Sequence, residues 1–280
     1  MIVATRTITS HDVQSHYDEL DDLYRQLWGQ HLHHGLWIHG NESKVTATQQ
    51  LIDRISEVGS FTAEARICDI GCGYGATSQV LAETWNAQVN GVTITPSQFE
   101  IAKKLSPTRG QVKFHLEDWL HNSLPSSFFD HAIAIESSEH AVDKSQYFHQ
   151  AYRVLKPQGN ITFCAWMANE SAGAWEKKHL LTPICNEGRL PSLLTESNYL
   201  KTLQDCGFEI TYVEDLTHKV KKTWTLVLVE MLKYLFTSPV KFLGLLKNLP
   251  KNRDFFWTPL RMRWAYETGA LRYVLVSAKK

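Results

Sequence analysis

Three glycines that follow an acid could together hold a small charged ligand. Asp69 ends a short apolar stretch, and Gly71, Gly73 and Gly75 come after it at alternate positions. Glycine is needed where the backbone turns sharply and approaches a ligand with no side chain between them. Residues 76–85 then continue as a predicted helix. A strand, a glycine loop and a helix in this order predict a cofactor site at the carboxyl end of a parallel strand.

The glycine spacing alone does not identify the cofactor, because Gly71-x-Gly73-x-x-Ala76 also satisfies the dinucleotide-binding fingerprint. That fingerprint expects an acid about 20 residues beyond the first glycine, where it holds a ribose hydroxyl. Residues 91–95 contain no acid. A carboxylate at Asp69 would repel a pyrophosphate but suits a cation. S-adenosylmethionine has no phosphate and carries an ammonium and a sulfonium, so the loop favours this cofactor, with S-adenosylhomocysteine as the product.

Four further stretches accompany the glycine loop, at residues 91–98, 117–119, 136–140 and 153–159. Together these motifs resemble the class I S-adenosylmethionine-dependent methyltransferases, most of all the group that contains gamma-tocopherol, sterol and related small-molecule C-methyltransferases. The resemblance is good over roughly residues 15–170 and loose elsewhere. It implies an α/β fold, with a doubly wound, mostly parallel, seven-stranded Rossmann-like sheet and a helical cap.

The resemblance also implies roles for single residues. Thr93, Thr95 and Gln98 stand where other methyltransferases carry a ribose-binding acid. Asp118 would meet the adenine amino group, and Trp119 would flank the adenine ring. Each has a structural alternative, since Thr95 and Asp118 could cap helices and Trp119 could belong to the core.

Composition excludes several classes of protein. The chain has 280 residues, 43% of them hydrophobic, which is ample for a core. Its 29 basic and 29 acidic residues balance without a basic tract, which argues against a nucleic-acid surface. No apolar stretch reaches the roughly 20 residues that span a bilayer. The five scattered cysteines fit neither a disulfide framework nor zinc spacing, and they favour a cytoplasmic protein.

Apolar-rich strands that alternate with helices predict a parallel sheet with helices on both faces. Helical material is expected at 11–35 and 45–58. Predicted strands lie at 65–70, 88–92, 112–117, 131–136, 160–166, 207–214 and, antiparallel, 271–278. The predicted organisation is an N-terminal helical lid at 1–60, a cofactor-binding core at 61–170, cap or substrate insertions at 171–206 and 217–268, and closing strands of the core at 207–216 and 269–280.

Residues 28–37 are rich in histidine and tryptophan, which suggests a metal at first sight. No carboxylate or cysteine nearby completes a ligand set, so no metal site is predicted. By the resemblance, Tyr17, His34 and Gly35 would close one wall of the cofactor site. The alternative is a buried helix end with satisfied imidazoles.

Glu136, Glu139 and His140 follow the fourth strand, where the methyl acceptor is expected. Methyl transfer requires alignment of acceptor and methyl group, exclusion of water and removal of any surplus proton. If the acceptor is an alkene or aromatic carbon, a cation develops, which a carboxylate and aromatic faces can stabilise. Glu139 and His140 suit the roles of carboxylate and base. Both could instead cap the next helix, and Glu136 could stay buried.

Aromatic residues are dense in the predicted cap, which favours an apolar or planar acceptor. They are Trp166, Trp175, Trp224, Tyr234, Phe255, Phe256 and Trp257. Residues 240–257 mix lysines with apolar residues and could touch a membrane surface, although a solvated helix face is the simpler interpretation.

The sequence therefore predicts a methyltransferase that acts on a carbon of a lipophilic small molecule, plausibly an isoprenoid or a prenylated aromatic. A diphosphate acceptor would need basic side chains, for which Arg261, Arg263 and Arg272 are candidates. An N- or O-methyltransferase of a specialised metabolite is the first alternative. A non-catalytic cofactor-binding subunit is the second. A homo-oligomer is compatible with all three.

Overall fold

A computed structural model describes residues 1–237 and 257–280. Its central sheet has seven strands in the order β4-β3-β2-β5-β6-β9-β8. The first five strands of that order are parallel, and β9 runs antiparallel to both β6 and β8. The predicted doubly wound, mostly parallel sheet and its antiparallel last strand are confirmed.

The strands alternate with helices, as in other folds built from right-handed crossovers. The described strands are β1 (Ile2–Val3), β2 (Arg66–Ile70), β3 (Gln88–Thr93), β4 (Gln111–Leu116), β5 (Phe129–Ile135), β6 (Leu155–Ala168), β7 (Ser192–Leu193), β8 (Glu209–Asp215) and β9 (Leu271–Lys279). The described helices are α1 (Ser10–Glu19), α2 (Asp21–Trp28), α3 (Lys44–Val58), α4 (Ala76–Trp85), α5 (Pro96–Ala102), α6 (Lys144–Val154), α7 (Ala174–Glu176), α8 (Thr182–Glu187), α9 (Glu196–Asp205), α10 (Thr217–Val220), α11 (Lys222–Thr237) and α12 (Thr258–Glu267).

Strand β2 shows why the sheet is buried on both faces. Ile67 packs with α3 and α4 on one face, whereas Cys68 and Ile70 pack with α6 and α9 on the other. All three side chains are fully buried. Because side chains alternate across a strand, an apolar run without polar alternation requires helices on both sides.

The N-terminal helical region is shorter than predicted and is divided. Residues 11–35 were expected to be helical, but α2 ends at Trp28, where Gly29 adopts φ of +81°. That conformation is natural for glycine and stops a right-handed helix. The histidine-rich residues that follow therefore form an irregular connection to α3.

The segment after β6 is helical although it contains a proline. Pro183 would ordinarily interrupt a helix, yet α7, a π-helical turn at Lys177–Leu181 and α8 follow one another without a break. Proline has no N–H to donate, and the wider π turn just before it accommodates that loss. This helical segment becomes one wall of a cavity described below.

A small second sheet ties the N-terminus to the cap. Ile2 pairs with Leu193 and Val3 with Ser192, so β1 and β7 run antiparallel. No periodicity in these two-residue strands could have predicted the pairing. The predicted membrane-contact stretch lies, up to residue 256, outside the described residues. None of the helices within the described ranges is long and apolar enough to cross a membrane.

Substitution of Gly75 should destabilise the fold through a steric clash. Gly75 has φ of +79°, and an added Cβ would lie 2.6 Å from the Phe114 ring. Gly269 has a similar φ of +75° but nothing within 4 Å of such a Cβ. We expect Gly269→Ala to lower the free energy of unfolding by about 1 kcal/mol through backbone strain. Gly75→Ala should lower it by about 1–3 kcal/mol more, through overpacking.

Urea denaturation of both variants beside the wild type measures the two losses. Because the two glycines have similar positive φ angles, the difference between the two losses measures the contact between the added Cβ at position 75 and Phe114. Equal losses would contradict the assignment of Gly75 to packing.

Candidate functional site

A cleft opens at the carboxyl ends of β2, β3 and β5. This is the edge at which open parallel sheets bind their ligands. It is lined by Ser10, Val13, Tyr17, Leu32, Ile70, Gly71, Gly73, Val92, Thr93, Ile94, Thr95, Gln98, Glu117, Asp118, Trp119, Leu120, Ile135, Glu136, Ser137, His140, Ala141, Val142 and Tyr147. Most of the predicted cofactor-binding residues therefore meet in one cleft.

The three loop glycines serve different purposes. All have positive φ, but an added Cβ at Gly71 would lie 2.4 Å from Ser137, and one at Gly75 would strike Phe114. At Gly73 the nearest atom would be a methyl of Leu32, 4.0 Å away. Gly73 is thus the glycine that leaves room for a ligand, whereas Gly75 does not line the cleft.

Asp69 does not line the cleft, although it was expected to face a cationic ligand. Its carboxylate is buried and accepts a hydrogen bond of 2.6 Å from the Ser78 hydroxyl of α4. Burial raises the pKa of Asp69 to about 6. This side chain fastens the strand to the following helix, so the negative charge at the cleft must come from other residues.

Two acids at the end of β4 supply part of that charge. Glu117 and Asp118 both line the cleft. Asp118 accepts a hydrogen bond from Ser10 at 2.8 Å and another from the backbone N–H of Leu120 at 3.0 Å. It therefore acts as the predicted helix cap while still facing the cleft. Trp119 is buried, and its indole N–H donates to the carbonyl of Tyr147 at 3.0 Å.

The polar residues after β3 form a compact group. The Thr93 hydroxyl donates to the Gln98 side-chain oxygen at 3.0 Å and accepts from the backbone N–H of Thr95 at 3.3 Å. All three residues are buried and line the cleft. Hydroxyl and amide groups at this place can bind ribose hydroxyls without an acid.

The cleft fits S-adenosylmethionine better than a phosphate-bearing cofactor. Among the residues that the structure describes, no lysine or arginine lines it, whereas three acids do: Glu117, Asp118 and Glu136. The open space beside Gly73 admits a ligand close to the backbone. A pyrophosphate would meet carboxylates without a compensating cation, but a ligand with a net positive charge would be stabilised.

A second, more enclosed cavity adjoins the cleft, and we call it the acceptor cavity. It is lined by Tyr17, Tyr24, Trp28, Leu32, Glu136, His140, Trp166, Ile184, Gly188, Trp224 and Thr258. The N-terminal helices, the helical segment that ends in α8, and helices α11 and α12 all contribute. The cap aromatics Trp166 and Trp224 line this cavity, whereas Trp175 and Trp257 line a separate surface groove.

Four residues line both the cleft and the acceptor cavity: Tyr17, Leu32, Glu136 and His140. His140 Nδ1 lies 3.4 Å from the carbonyl of Arg189, and its Nε2 lies 3.0 Å from the Tyr17 hydroxyl. A carbonyl can only accept, so Nδ1 carries the proton and Nε2 accepts from Tyr17. Burial lowers the pKa of His140 to about 4. The imidazole is therefore neutral near pH 7, with a basic nitrogen at the junction of the two cavities.

Glu136 directly follows β5 and has φ of +54°, an unusual conformation for a non-glycine residue. One of its oxygens, Oε1, accepts from the His34 backbone N–H at 2.7 Å, from His34 Nδ1 at 2.9 Å and from the Tyr273 hydroxyl at 2.8 Å. Burial alone would raise the pKa of Glu136, but the electrostatic interaction and hydrogen bonds with His34 outweigh burial and hold the pKa below its usual value. Glu136 is thus an ionised carboxylate at the junction.

Glu139 does not face either cavity, although it was predicted as the cation-stabilising carboxylate. It is buried and accepts from the backbone N–H of Trp166 at 2.6 Å. Burial raises the pKa of Glu139 to about 8. A neutral acid inside the fold cannot stabilise a cation in the cavity, and Glu136 occupies the position that was predicted for Glu139.

His34 and Gly35 lie behind the site rather than on the cleft wall. The His34 ring bridges Glu136 and the Trp224 indole, whose N–H donates to Nε2 at 2.7 Å. A Cβ added at Gly35 would clash with the side chain of Ala47, so only glycine fits at this position. The neighbouring His33 contacts the Thr77 hydroxyl at 3.2 Å. Within the described ranges, no three metal-ligating side chains are arranged around a common point.

Several cleft residues had no signal in the sequence. Ser137 donates to the Ile70 carbonyl at 2.6 Å and contacts the Tyr147 hydroxyl at 2.8 Å, which holds the glycine loop against the turn after β5. Ser10 and Leu32 come from the N-terminal region. Ser10 and Leu32 reach the cleft because α1 and the irregular connection after α2 pack against the core. No local sequence pattern specifies that packing.

Comparison with known proteins agrees with this geometry. A sequence model of the mycolic acid cyclopropane synthetase family matches residues 4–234. A probable chloroplastic tocopherol O-methyltransferase of Oryza sativa subsp. japonica is 27% identical over 94% of this chain and 76% of its own length. The 27-O-demethylrifamycin SV methyltransferase of Amycolatopsis mediterranei is 28% identical over 97% of this chain and 98% of its own. The crystal structure of the mycolic acid cyclopropane synthase CmaA1, complexed with SAH and CTAB, superposes with a TM-score of 0.82 at 18% identity, covering 98% of this chain and 99% of that one.

Replacement of Glu139 by glutamine should change how stability depends on pH. Because the pKa of Glu139 is about 8 in the folded chain, against 4.5 ordinarily, folding retains a proton between those values. The free energy of unfolding therefore falls as pH rises through that window, by up to about 1.4 kcal/mol per pH unit. Glu139→Gln is neutral at every pH and should gain stability relative to the wild type as pH rises.

Urea denaturation of both proteins across this pH range measures the effect. A stability difference that stays constant with pH would show that Glu139 is ionised in the folded protein.

Proposed function

This chain belongs to the mycolic acid cyclopropane synthetase family and is an S-adenosylmethionine-dependent methyltransferase, and we propose that it methylates a carbon atom of a lipophilic small molecule. An isoprenoid or a prenylated aromatic is the acceptor class that we infer. S-adenosylmethionine, when bound, supplies an electrophilic methyl group on a sulfonium. The residues proposed to hold it are Gly71, Gly73, Thr93, Thr95, Gln98, Asp118 and Trp119.

The observation that carries the proposal is the junction of the two cavities. Tyr17, Leu32, Glu136 and His140 line both the polar cleft and the aromatic acceptor cavity. A carbon acceptor bound among these aromatic side chains would therefore lie next to the cleft, away from bulk water. Such proximity and orientation supply much of the rate enhancement in a group transfer.

Charge at the junction suits a carbon acceptor. When an alkene or aromatic carbon uses its π electrons to form the new carbon–carbon bond, the acceptor becomes positively charged. The ionised Glu136 carboxylate and the faces of Trp28, Trp166 and Trp224 would stabilise that charge. The acceptor then becomes neutral by losing a proton to Nε2 of His140, once the Tyr17 hydroxyl releases its hydrogen bond to that nitrogen.

Oxygen is the second candidate for the methylated atom. The Tyr17 hydroxyl and His140 Nε2 form a hydrogen-bonded pair that could accept a proton from an acceptor hydroxyl. Three relatives also carry names that refer to O-methylation. The aromatic cavity and the carboxylate favour carbon, because an oxygen acceptor needs a base but no cation stabilisation.

The cap is proposed to enclose the acceptor. Helices α1 and α2 of the lid at 1–60 and parts of the insertions at 171–206 and 217–268 supply walls of the acceptor cavity. The core at 61–170 supplies most of the cleft, and Ser10, Val13, Tyr17 and Leu32 of the lid supply the rest. The two insertions contribute to the acceptor cavity but not to the cleft, so they could select acceptors of different shape without a change in the cleft.

Methyl transfer should be detected on carbon when purified protein is incubated with methyl-labelled S-adenosylmethionine and a panel of quinols, prenylated phenols and sterols. We expect the label on a ring or alkene carbon, located by mass spectrometry and NMR. Label found exclusively on hydroxyl or amine groups would refute the carbon assignment. Heat-inactivated protein controls for uncatalysed transfer.

His140→Gln should lower kcat by at least about 100-fold, because it removes the base at the junction. Binding of S-adenosylhomocysteine, measured by calorimetry, should change little because the cleft walls remain. The exposed His149 offers a matched control, and His149→Gln should retain full turnover. In the wild type, the acid limb of kcat/KM should fall near the His140 pKa of about 4. An unchanged kcat in His140→Gln would remove this residue from the chemistry.

A further inference from the structure

Trp166 presents a buried hydrogen-bond donor that no protein atom satisfies. Its indole Nε1 is buried and has no acceptor among residues 1–237 and 257–280. Trp224, whose ring contacts that of Trp166 with centroids 6.2 Å apart, does have an acceptor, because its indole N–H donates to His34. Buried donors without partners are rare in native proteins, and one on a cavity wall suggests that a ligand satisfies it. Trp166 lines the acceptor cavity.

Glu136 presents the complementary acceptor on the same cavity. Its hydrogen bonds from His34 and Tyr273 all go to Oε1. The other oxygen, Oε2, accepts no hydrogen bond from the described part of the chain. A buried carboxylate gains stability from further donors, so Oε2 favours a ligand that carries an O–H or N–H.

We propose that Trp166 and Glu136 together recognise a neutral hydroxyl group on the acceptor. A hydroxyl can donate to Oε2 and accept from the Trp166 indole at the same time. A carbonyl or ether could not donate, an ammonium could not accept, and a carboxylate or phosphate would be repelled by Glu136. Trp166 is then a specificity-determining residue, and the acceptor is a lipophilic alcohol or phenol.

The same argument disfavours a prenyl diphosphate. Among the described residues that line the acceptor cavity there is no lysine or arginine. Two of the arginines considered from the sequence already have acidic partners, since Arg261 binds Glu187 and Arg272 binds both Asp215 and Glu196. Arg263 lines the separate surface groove. A diphosphate would therefore face a carboxylate without cations to neutralise it.

This inference rests on the proposed function for its choice of cavity, and a binding measurement tests it independently of turnover. Calorimetry on the S-adenosylhomocysteine-loaded protein would compare 2-geranylphenol, geranylbenzene and geranyl diphosphate. We expect the phenol to bind at least about fivefold more tightly than the hydrocarbon, as one or two hydrogen bonds would give. The diphosphate should bind more weakly than the phenol.

Trp166→Phe keeps an aromatic ring but removes the N–H. It should weaken binding of 2-geranylphenol by about five- to tenfold and change binding of geranylbenzene by less than about twofold. Trp175→Phe, the same substitution at an exposed position, should alter neither affinity. Equal weakening of both probes would show that Trp166 contributes packing alone and would overturn the proposal.

Tighter binding of the diphosphate, or no measurable binding of the phenol, would overturn it as well. Failure of the proposed function has a different signature, because carbon methylation would then be missing across the whole acceptor panel. Hydroxyl recognition by Trp166 would still register in the calorimetry.

Discussion

The buried carboxylate of Glu136 is the constraint on which the site depends. An ionised group inside a protein must be paired and hydrogen-bonded, or the cost of removing it from water is not recovered. Three donors meet this requirement, two from His34 and one from Tyr273. They bring together the turn after β5, the irregular connection after α2 and strand β9. The unusual backbone of Glu136 persists because these contacts fix it, as is common for strained residues at functional sites.

Much of the fold was predictable because it depends on local patterns. Apolar strands such as β2 require helices on both faces, and the glycine loop requires a turn before α4. Cavity walls were less predictable, since they depend on packing between distant segments. Tyr17 and His140 are 123 residues apart in sequence, yet their side chains lie 3.0 Å apart. The resemblance to a known family placed Tyr17 on the cofactor wall, and the position of His140 after the fourth strand placed it beside the acceptor, but neither argument paired them.

The direction of each acidic side chain was the main error of sequence reasoning. Asp69 and Glu139 were expected to face the ligands, but both point into the fold, at Ser78 and at the Trp166 backbone. Glu136, which was predicted beside the acceptor with burial as the alternative, lines both cavities although its side chain is largely buried. Only two residues separate Glu136 from Glu139, and the backbone has a positive φ at Glu136. Spacing identifies which acids are near a site, whereas the local backbone conformation and the packing around it determine which of them faces it.

His34 has a consequence for how proteins of this architecture can diversify. Its ring connects the carboxylate that follows β5 to the Trp224 indole of α11, so the junction of the two cavities and helix α11 share one buried imidazole. Replacing α11 with a foreign helix would leave that imidazole without its Trp224 donor and would disturb the hydrogen bond that it donates to Glu136. Chimeras between such proteins would consequently tolerate exchange of α11 when the connection that carries His34 is exchanged together with it.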